Sequence, residues 1–482
     1  MSFQALLREC DEHIRQGRDE KAHRLLRELE ISKLPRSLQR DFANLCRRSG
    51  LLSQGLRILT PLVREEIASE AERAEYAMLL QRSGAVTEAL GVLQKLDPQK
   101  DPQILLFQAF CHFNEWNYEA ALPLLHRYLE FPLADYPRLI ARVNLVACLL
   151  TLHQWEAAAH EIERAFAEAE NAGRLRGNLH ELRAQWHLGR GRFSDARKDL
   201  VQAQAILGGI QNEDLLFVRK WNAVIDLKEK TESDAMKIVL RDAEKASDWE
   251  TAREARLFLL TDHFDHDAYL ELLVGTPFTG YRARIQSRLD RTDLPELPSR
   301  WRWGAPDSAA LDLATGELHG MTRTVRPPTA KCLQLIEALS QDLFRPQRLA
   351  TLFGRLFPRE HFDIFSSPQR VHQILRRTRR WLSENDLPLQ IEESGGQFRL
   401  RKPDRFALIL TLSREPRDNQ RRLLQRLERD FGTEPYFTGP EAAARLGISE
   451  SLMKRVLAWG VAQKRLRRQG RGSGTTYSLD VA

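Results

Sequence analysis

The chain has 482 residues, 42% of them hydrophobic and 29% charged; at roughly 100–200 residues per domain this suits about two to four folded domains, not a disordered or fibrous chain. No run of ~18 apolar residues occurs, and the charged start MSFQALLRECDEHIRQGRDE lacks an apolar signal core, so a cytoplasmic protein without a membrane span is expected. The net charge is +7, but residues 301–482 hold 31 Lys and Arg against 20 Asp and Glu, so the positive excess lies entirely in the C-terminal part and points to a polyanion partner there.

The five cysteines (Cys10, Cys46, Cys111, Cys148 and Cys332) are odd in number and form no CxxC pair. They are expected as small core residues, not as disulfides or zinc ligands.

From the N-terminus a short signature recurs: a turn residue, often an aromatic two residues on, then a small residue. It runs through Gly17…Ala22, Gly50…Gly55, Gly84…Ala89, Trp116-Asn-Tyr118…Ala121, His153-Gln-Trp155…Ala158 and Gly191-Arg-Phe193…Ala196. The closing residues lie 33, 34, 32, 37 and 38 apart, and a degenerate seventh copy closes on Ala235. Each copy predicts a helix hairpin, with the turn residue ending helix A and the small residue letting helix B approach it. Leu145, Cys148, Leu149 and Leu152 mark the buried stripe of one such helix. A lone hairpin of this size cannot bury its apolar face, so the copies must stack into a solenoid.

These copies, best seen in residues 107–130 and 183–204, resemble the tetratricopeptide repeat family over roughly residues 3–240. The resemblance implies a surface for a protein or peptide partner; a spacer or homodimer scaffold is the alternative. Residues 240–290 stay helical as a cap, which places a repeat domain at 1–290. The Pro- and Gly-marked stretch LPELPSRWRWG places a junction at 291–304.

A second domain is expected at 305–402. LDLATGEL (311–318) predicts a hairpin, AKCLQLIEALSQ (330–341) a helix after Thr329, and PQRLATLFGRLF a second helix opening at Pro346. Ser366-Ser367-Pro368 starts a third, long helix, and LPLQIEESGGQFRL predicts a closing hairpin. The third helix (RVHQILRRTRRWL) and the hairpin (IEESGGQFRL) resemble the winged-helix output domain of OmpR/PhoB-type response regulators, although no receiver domain precedes them. Val371, Ile374, Leu375, Thr378 and Leu382 should pack inward. Gln369, Arg370, Gln373, Arg376, Arg377 and Arg380 should face a DNA major groove, where Arg pairs with guanine and Gln with adenine.

After a short linker at 403–415, residues 416–482 are expected as a second winged helix-turn-helix. It should open with an amphipathic helix at 416–431 and a short strand at Tyr436-Phe437-Thr438. AARLGISESLMKRVL (443–457) resembles the bacterial helix-turn-helix pattern. Gly447 takes the turn, Ser449 caps the next helix, and Ala443, Ile448, Met453, Val456 and Leu457 form the core. Ser451, Lys454 and Arg455 should then face DNA, joined by Arg467, Arg468 and Arg471 on a basic wing suited to a minor groove. The first unit should rely on its helix, the second on helix and wing together.

The expected fold class is therefore mainly α: a solenoid of repeat hairpins followed by two α+β winged-helix domains. The expected function is a bacterial transcription regulator that binds double-stranded DNA; the alternative is a protein-binding adaptor. No phosphate loop, HExxH pair or GxSxG elbow occurs, so neither an enzyme nor a cofactor is expected. The run Asp262-His263-Phe264-Asp265-His266-Asp267 reads as cap and surface residues sooner than as a metal site.

Overall fold

The computed structural model describes residues 2–479, apart from 16–17, 171–172, 209–213, 230–233, 296, 321–324, 326, 413–422, 425–426, 429, 433, 464 and 471–474. Two compact units emerge: residues 1–297 with 328–401, and residues 298–327 with 402–482.

The first unit begins with paired helices: α1 (Phe3–Arg15) with α2 (Asp19–Glu28), α3 (Gln39–Arg48) with α4 (Leu52–Leu62), α5 (Glu70–Ser83) with α6 (Val86–Leu93), and α7 (Gln103–Asn114) with α8 (Tyr118–Leu129). There follow α9 (Asp135–Thr151) with α10 (Trp155–Glu168), α11 (Gly173–Gly189) with α12 (Phe193–Leu207), and α13 (Asp214–Lys228) with α14 (Asp234–Ala246). Helices α15 (Trp249–Asp262), α16 (His266–Val274) and α17 (Thr279–Leu289) complete the stack. The helix-hairpin repeat is thus established.

Its physical basis is the one read in the sequence. Gly50, Gly84 and Gly191 adopt positive φ at the hairpin turns, and so do Trp116 (54°) and His153 (57°), which lack the freedom of glycine. The small residues Ala22, Ala89, Ala121, Ala158 and Ala196 are fully buried on the second helix of each pair. A Cβ on Gly55 would meet the Leu79 side chain at 2.8 Å and the Ala43 carbonyl oxygen at 3.4 Å, so α4 packs closely on both α3 and α5 there. The seventh copy differs. Ala235 is only half-buried and Met236 takes the interior position, while the turn before α14 and Gly17 lie outside the described residues. All five cysteines are buried free thiols.

Residues 328–401 add α18 (Ala330–Ser340), a two-residue strand at Gln347–Arg348, α19 (Leu349–Leu356), α20 (Ser367–Glu384) and a hairpin of Gln390–Ser394 with Gln397–Arg401. The second helix starts three residues after Pro346, because Gln347 and Arg348 pair with Phe398 and Gln397. This body is bonded into the repeats. Thr351 donates to the Gly84 carbonyl at 2.9 Å, the Phe362 amide donates to Glu88 at 2.9 Å, and Leu343 donates to the Gly275 carbonyl at 3.0 Å. Arg64 pairs with Asp363 at 2.5 Å. Deepest of these contacts, Arg253, which is 0% exposed, donates to both Asp342 oxygens at 2.8 Å.

The second unit holds β1 (Arg300–Trp303), β2 (Ala309–Asp312) and β3 (Leu318–His319), with β2 and β3 forming the expected hairpin. The expected junction and linker need correction. Residues 300–303 are a strand, and the stretch read as connector contains Phe406–Thr411, which lies between β1 (antiparallel) and β2 (parallel) at the centre of a four-stranded sheet. The expected 305–402 domain is accordingly divided between the two compact units. FALILT is a short apolar run, the pattern of a strand buried on both faces; Phe406, Ala407 and Leu408 are each at most 1% exposed.

Farther along, the expected helix at 416–431 falls largely outside the described residues, although Leu423, Leu424, Leu427 and Phe431 are buried. The strand Phe437–Thr438 leads into α21 (Gly439–Leu446) and α22 (Glu450–Ala462), followed by a hairpin of Leu466–Gln469 with Thr476–Leu479. Thr438 and Glu441 cap α21 reciprocally, Gly447 turns the chain at φ 65°, and Ser449 caps α22 through the Leu452 amide. Ala443, Met453, Val456 and Leu457 form the core with Phe431 and Phe437, and Ile448 packs on it half-buried.

Candidate nucleic-acid interface

Helix α20 is amphipathic, and its geometry divides its residues. Val371, Ile374, Leu375, Thr378 and Leu382 are all buried, with Trp381 beside them. The hydroxyl of Thr378 donates to the Ile374 carbonyl at 2.9 Å, which lets a polar residue occupy an apolar position without an unmet hydrogen bond.

On the other face Gln369, Gln373, Arg376, Arg377 and Arg380 are exposed. Gln373, Arg376, Arg377 and Arg380 follow the spacing i, i+3, i+4, i+7 and form one stripe about 10 Å long at 1.5 Å rise per residue. Among the described residues, none of the three arginines is in an ion pair. Arg370 differs. It pairs with Glu360, which raises the guanidinium pKa, and its guanidinium lies 3.9 Å from the centre of the Phe357 ring. Reaching a groove would require Arg370 to leave that pair.

Arg379, which sequence reasoning left without a role, donates to the Ile391 carbonyl at 2.9 Å and faces Glu393 at 3.7 Å, tying α20 to the hairpin. The other acid of that hairpin, Glu392, pairs with Arg401 at 2.8 Å. Both acids therefore have cationic neighbours within the same body.

On α22, Lys454 and Arg455 are exposed, and among the described residues neither is in an ion pair. Ser451 lies in the first turn of the same helix. Arg467 and Arg468 sit on the exposed strand of the C-terminal hairpin, opposite Ser478 and Tyr477. Arg471 lies outside the described residues.

The repeats hold a separate candidate surface. Helices α7, α9, α11, α13 and α15 line an inner cavity of about 330 Å³, with Asn114, Thr151, Gln185, Lys220 and Thr251 among its walls. The Lys220 ammonium lies 4.8 Å from the Trp221 ring centre and 5.3 Å from that of Phe217.

Asp265 caps α16 through the Ala268 amide at 2.7 Å, and His266 and Asp267 are exposed. Among the described residues, no group of three or more His, Cys, Asp or Glu is arranged to hold a metal, and no helix is long and apolar enough to cross a membrane.

No family model and no curated protein matches the chain. Solved structures do match at low identity. A Rap protein complexed with competence and sporulation factor is 13% identical, with a TM-score of 0.43 over 59% of this chain and 86% of that one. The apo form of RapI is 12% identical, with a TM-score of 0.36 over 56% and 84%. MamA AMB-1 is 19% identical, with a TM-score of 0.29 over 37% and 94%.

Proposed function

We propose that the chain is a DNA-binding regulator whose helical repeats take a protein or peptide partner, a second copy of the chain included. In this reading α18–α20 with their hairpin act as an OmpR/PhoB-type winged helix, with α20 as the recognition helix. Residues 437–479 act as a second winged helix-turn-helix, with α22 as reader and the basic hairpin as wing.

The observation that carries the reading is the exposed stripe of Gln373, Arg376, Arg377 and Arg380 on one face of a rigidly packed helix. A face of that chemistry contacts base edges and phosphates together. Lys454, Arg455, Arg467 and Arg468 repeat the chemistry on the second helix and wing.

A specific observation favours the adaptor as a second reading. The α18–α20 body is fastened to the repeats through the buried Arg253–Asp342 pair, as part of a scaffold would be. The inner cavity of the repeats also suits a peptide side chain or terminus.

Selection of bound duplexes from a random DNA library by the purified chain separates the two readings. The regulator enriches a defined sequence, and Arg376→Ala/Arg377→Ala/Lys454→Ala abolishes the enrichment while leaving the thermal melt unchanged. An adaptor enriches nothing, and the same variant retains its protein partner.

A further inference from the structure

Within the first unit, α5–α7 and the α18–α19 body enclose a cleft of about 760 Å³, a size typical of sites for small organic ligands. Its charges are unequal in their commitments. Four lining cations, Lys95, Arg348, Arg355 and Arg359, have no ion-pair partner among the described residues. A fifth, Arg345, pairs among the described residues with Glu250 alone, at 3.8 Å.

The acids that line the same cleft are occupied. Glu88 accepts the Phe362 amide and faces His361, Asp342 holds Arg253, and Glu360 holds Arg370. Burial pushes the remaining acid, Glu115, above the usual carboxylate range, toward its neutral form. Burial, partly offset by Asp342 and reinforced by Arg345, lowers Arg355 to about 10; burial with Arg345 and Arg82 lowers Arg348 as well. The cleft therefore holds more positive charge than its own acids neutralise.

A further observation points the same way. Helix α6 begins at the cleft without a side-chain cap, with Ala85, Val86, Thr87 and Glu88 lining it, so the positive end of its dipole lies beside the arginines. The side chain of Gln81, 6% exposed, forms part of the cleft wall. An occupant must supply negative oxygens for the arginines.

We propose that this cleft binds a small phosphorylated molecule of nucleotide size, its phosphates on Arg348 and Arg359 and the α6 N-terminus, its organic part toward Gln81. The site lies apart from the α20 stripe, and the proposal does not depend on DNA binding.

The test is calorimetric titration of the full chain, without DNA, by pyrophosphate, ADP and adenosine. Pyrophosphate and ADP are expected to bind and adenosine to bind at least 10-fold more weakly than ADP. Arg348→Ala/Arg359→Ala should weaken both phosphorylated probes at least 10-fold. Arg359→Ala alone, at an exposed position, should weaken them in the same direction if the double variant fails to fold. Absence of binding by both phosphorylated probes at millimolar concentration, or unchanged affinity in the folded variants, overturns the proposal.

Discussion

Arg253 sits at 0% exposure among the rings of Phe278, Tyr281 and Phe344, and its one full counter-charge is Asp342, 89 positions along the chain. A buried charge stripped of its partner is far costlier than a surface pair broken. Asp342→Ala should therefore lower the unfolding free energy by about 3–5 kcal/mol, measured by urea denaturation, whereas Arg64→Ala at the exposed Arg64–Asp363 pair should cost less than about 1 kcal/mol. Glu254 is buried beside Arg284. Burial pushes its carboxyl up, but Arg284 at 2.8 Å more than offsets this and holds it at about 2. A depressed folded-state pKa stabilises above the unfolded value near 4.5, and that gain is lost as pH falls toward 2. The stability gap between the wild type and Glu254→Gln should be full at pH 6 and shrink between pH 4.5 and 2. A gap independent of pH in that window would contradict the assignment. Neither pair was legible in the sequence, because nothing local links Arg253 to Asp342, or Glu254 to Arg284.

At the scale of elements, periodicity was a sufficient guide wherever one face is buried and the other solvated. The inward stripe of α20 follows from spacing, the buried residues of α21 and α22 from the pattern that residues 443–457 resemble, and the repeat hairpins from their small residues. Phe406–Thr411 escaped because five apolar residues followed by a threonine carry no period, and its partners, Arg300–Trp303 and Ala309–Asp312, lie about a hundred residues earlier. The second helix start was displaced by strand pairing that Pro346 does not signal. Of the candidate site, exposure could be read from the helical wheel, but not the Glu360 partner that occupies Arg370. Two predictions belong here. Met453→Ala removes a fully buried side chain that packs α22 on its core and should cost about 2–5 kcal/mol of that module's stability, followed by thermal unfolding. Arg370→Ala should reduce DNA affinity less than Arg376→Ala in a fluorescence-anisotropy titration, because Arg370 must first give up Glu360.

Over the whole molecule, the charge division has a structural counterpart. The repeats carry a small net negative charge and many internal ion pairs, such as Arg142 with Glu161 and Glu168, and Arg183 with Asp199. The exposed stripe of α20, together with Lys454 and Arg455 on α22, displays positive charge of 301–482 that has no ion-pair partner among the described residues. A surface of this kind binds DNA by displacing condensed counterions, so affinity falls with salt in proportion to the phosphates contacted. The most direct test is the salt dependence of binding between the intact chain and a duplex DNA fragment, compared with Arg376→Ala/Arg377→Ala. A steep linear fall of log affinity with log salt is expected, its slope smaller in the variant by about 0.9 for each phosphate contact removed. Binding too weak to detect at low salt, or a slope identical in the variant, would contradict the account.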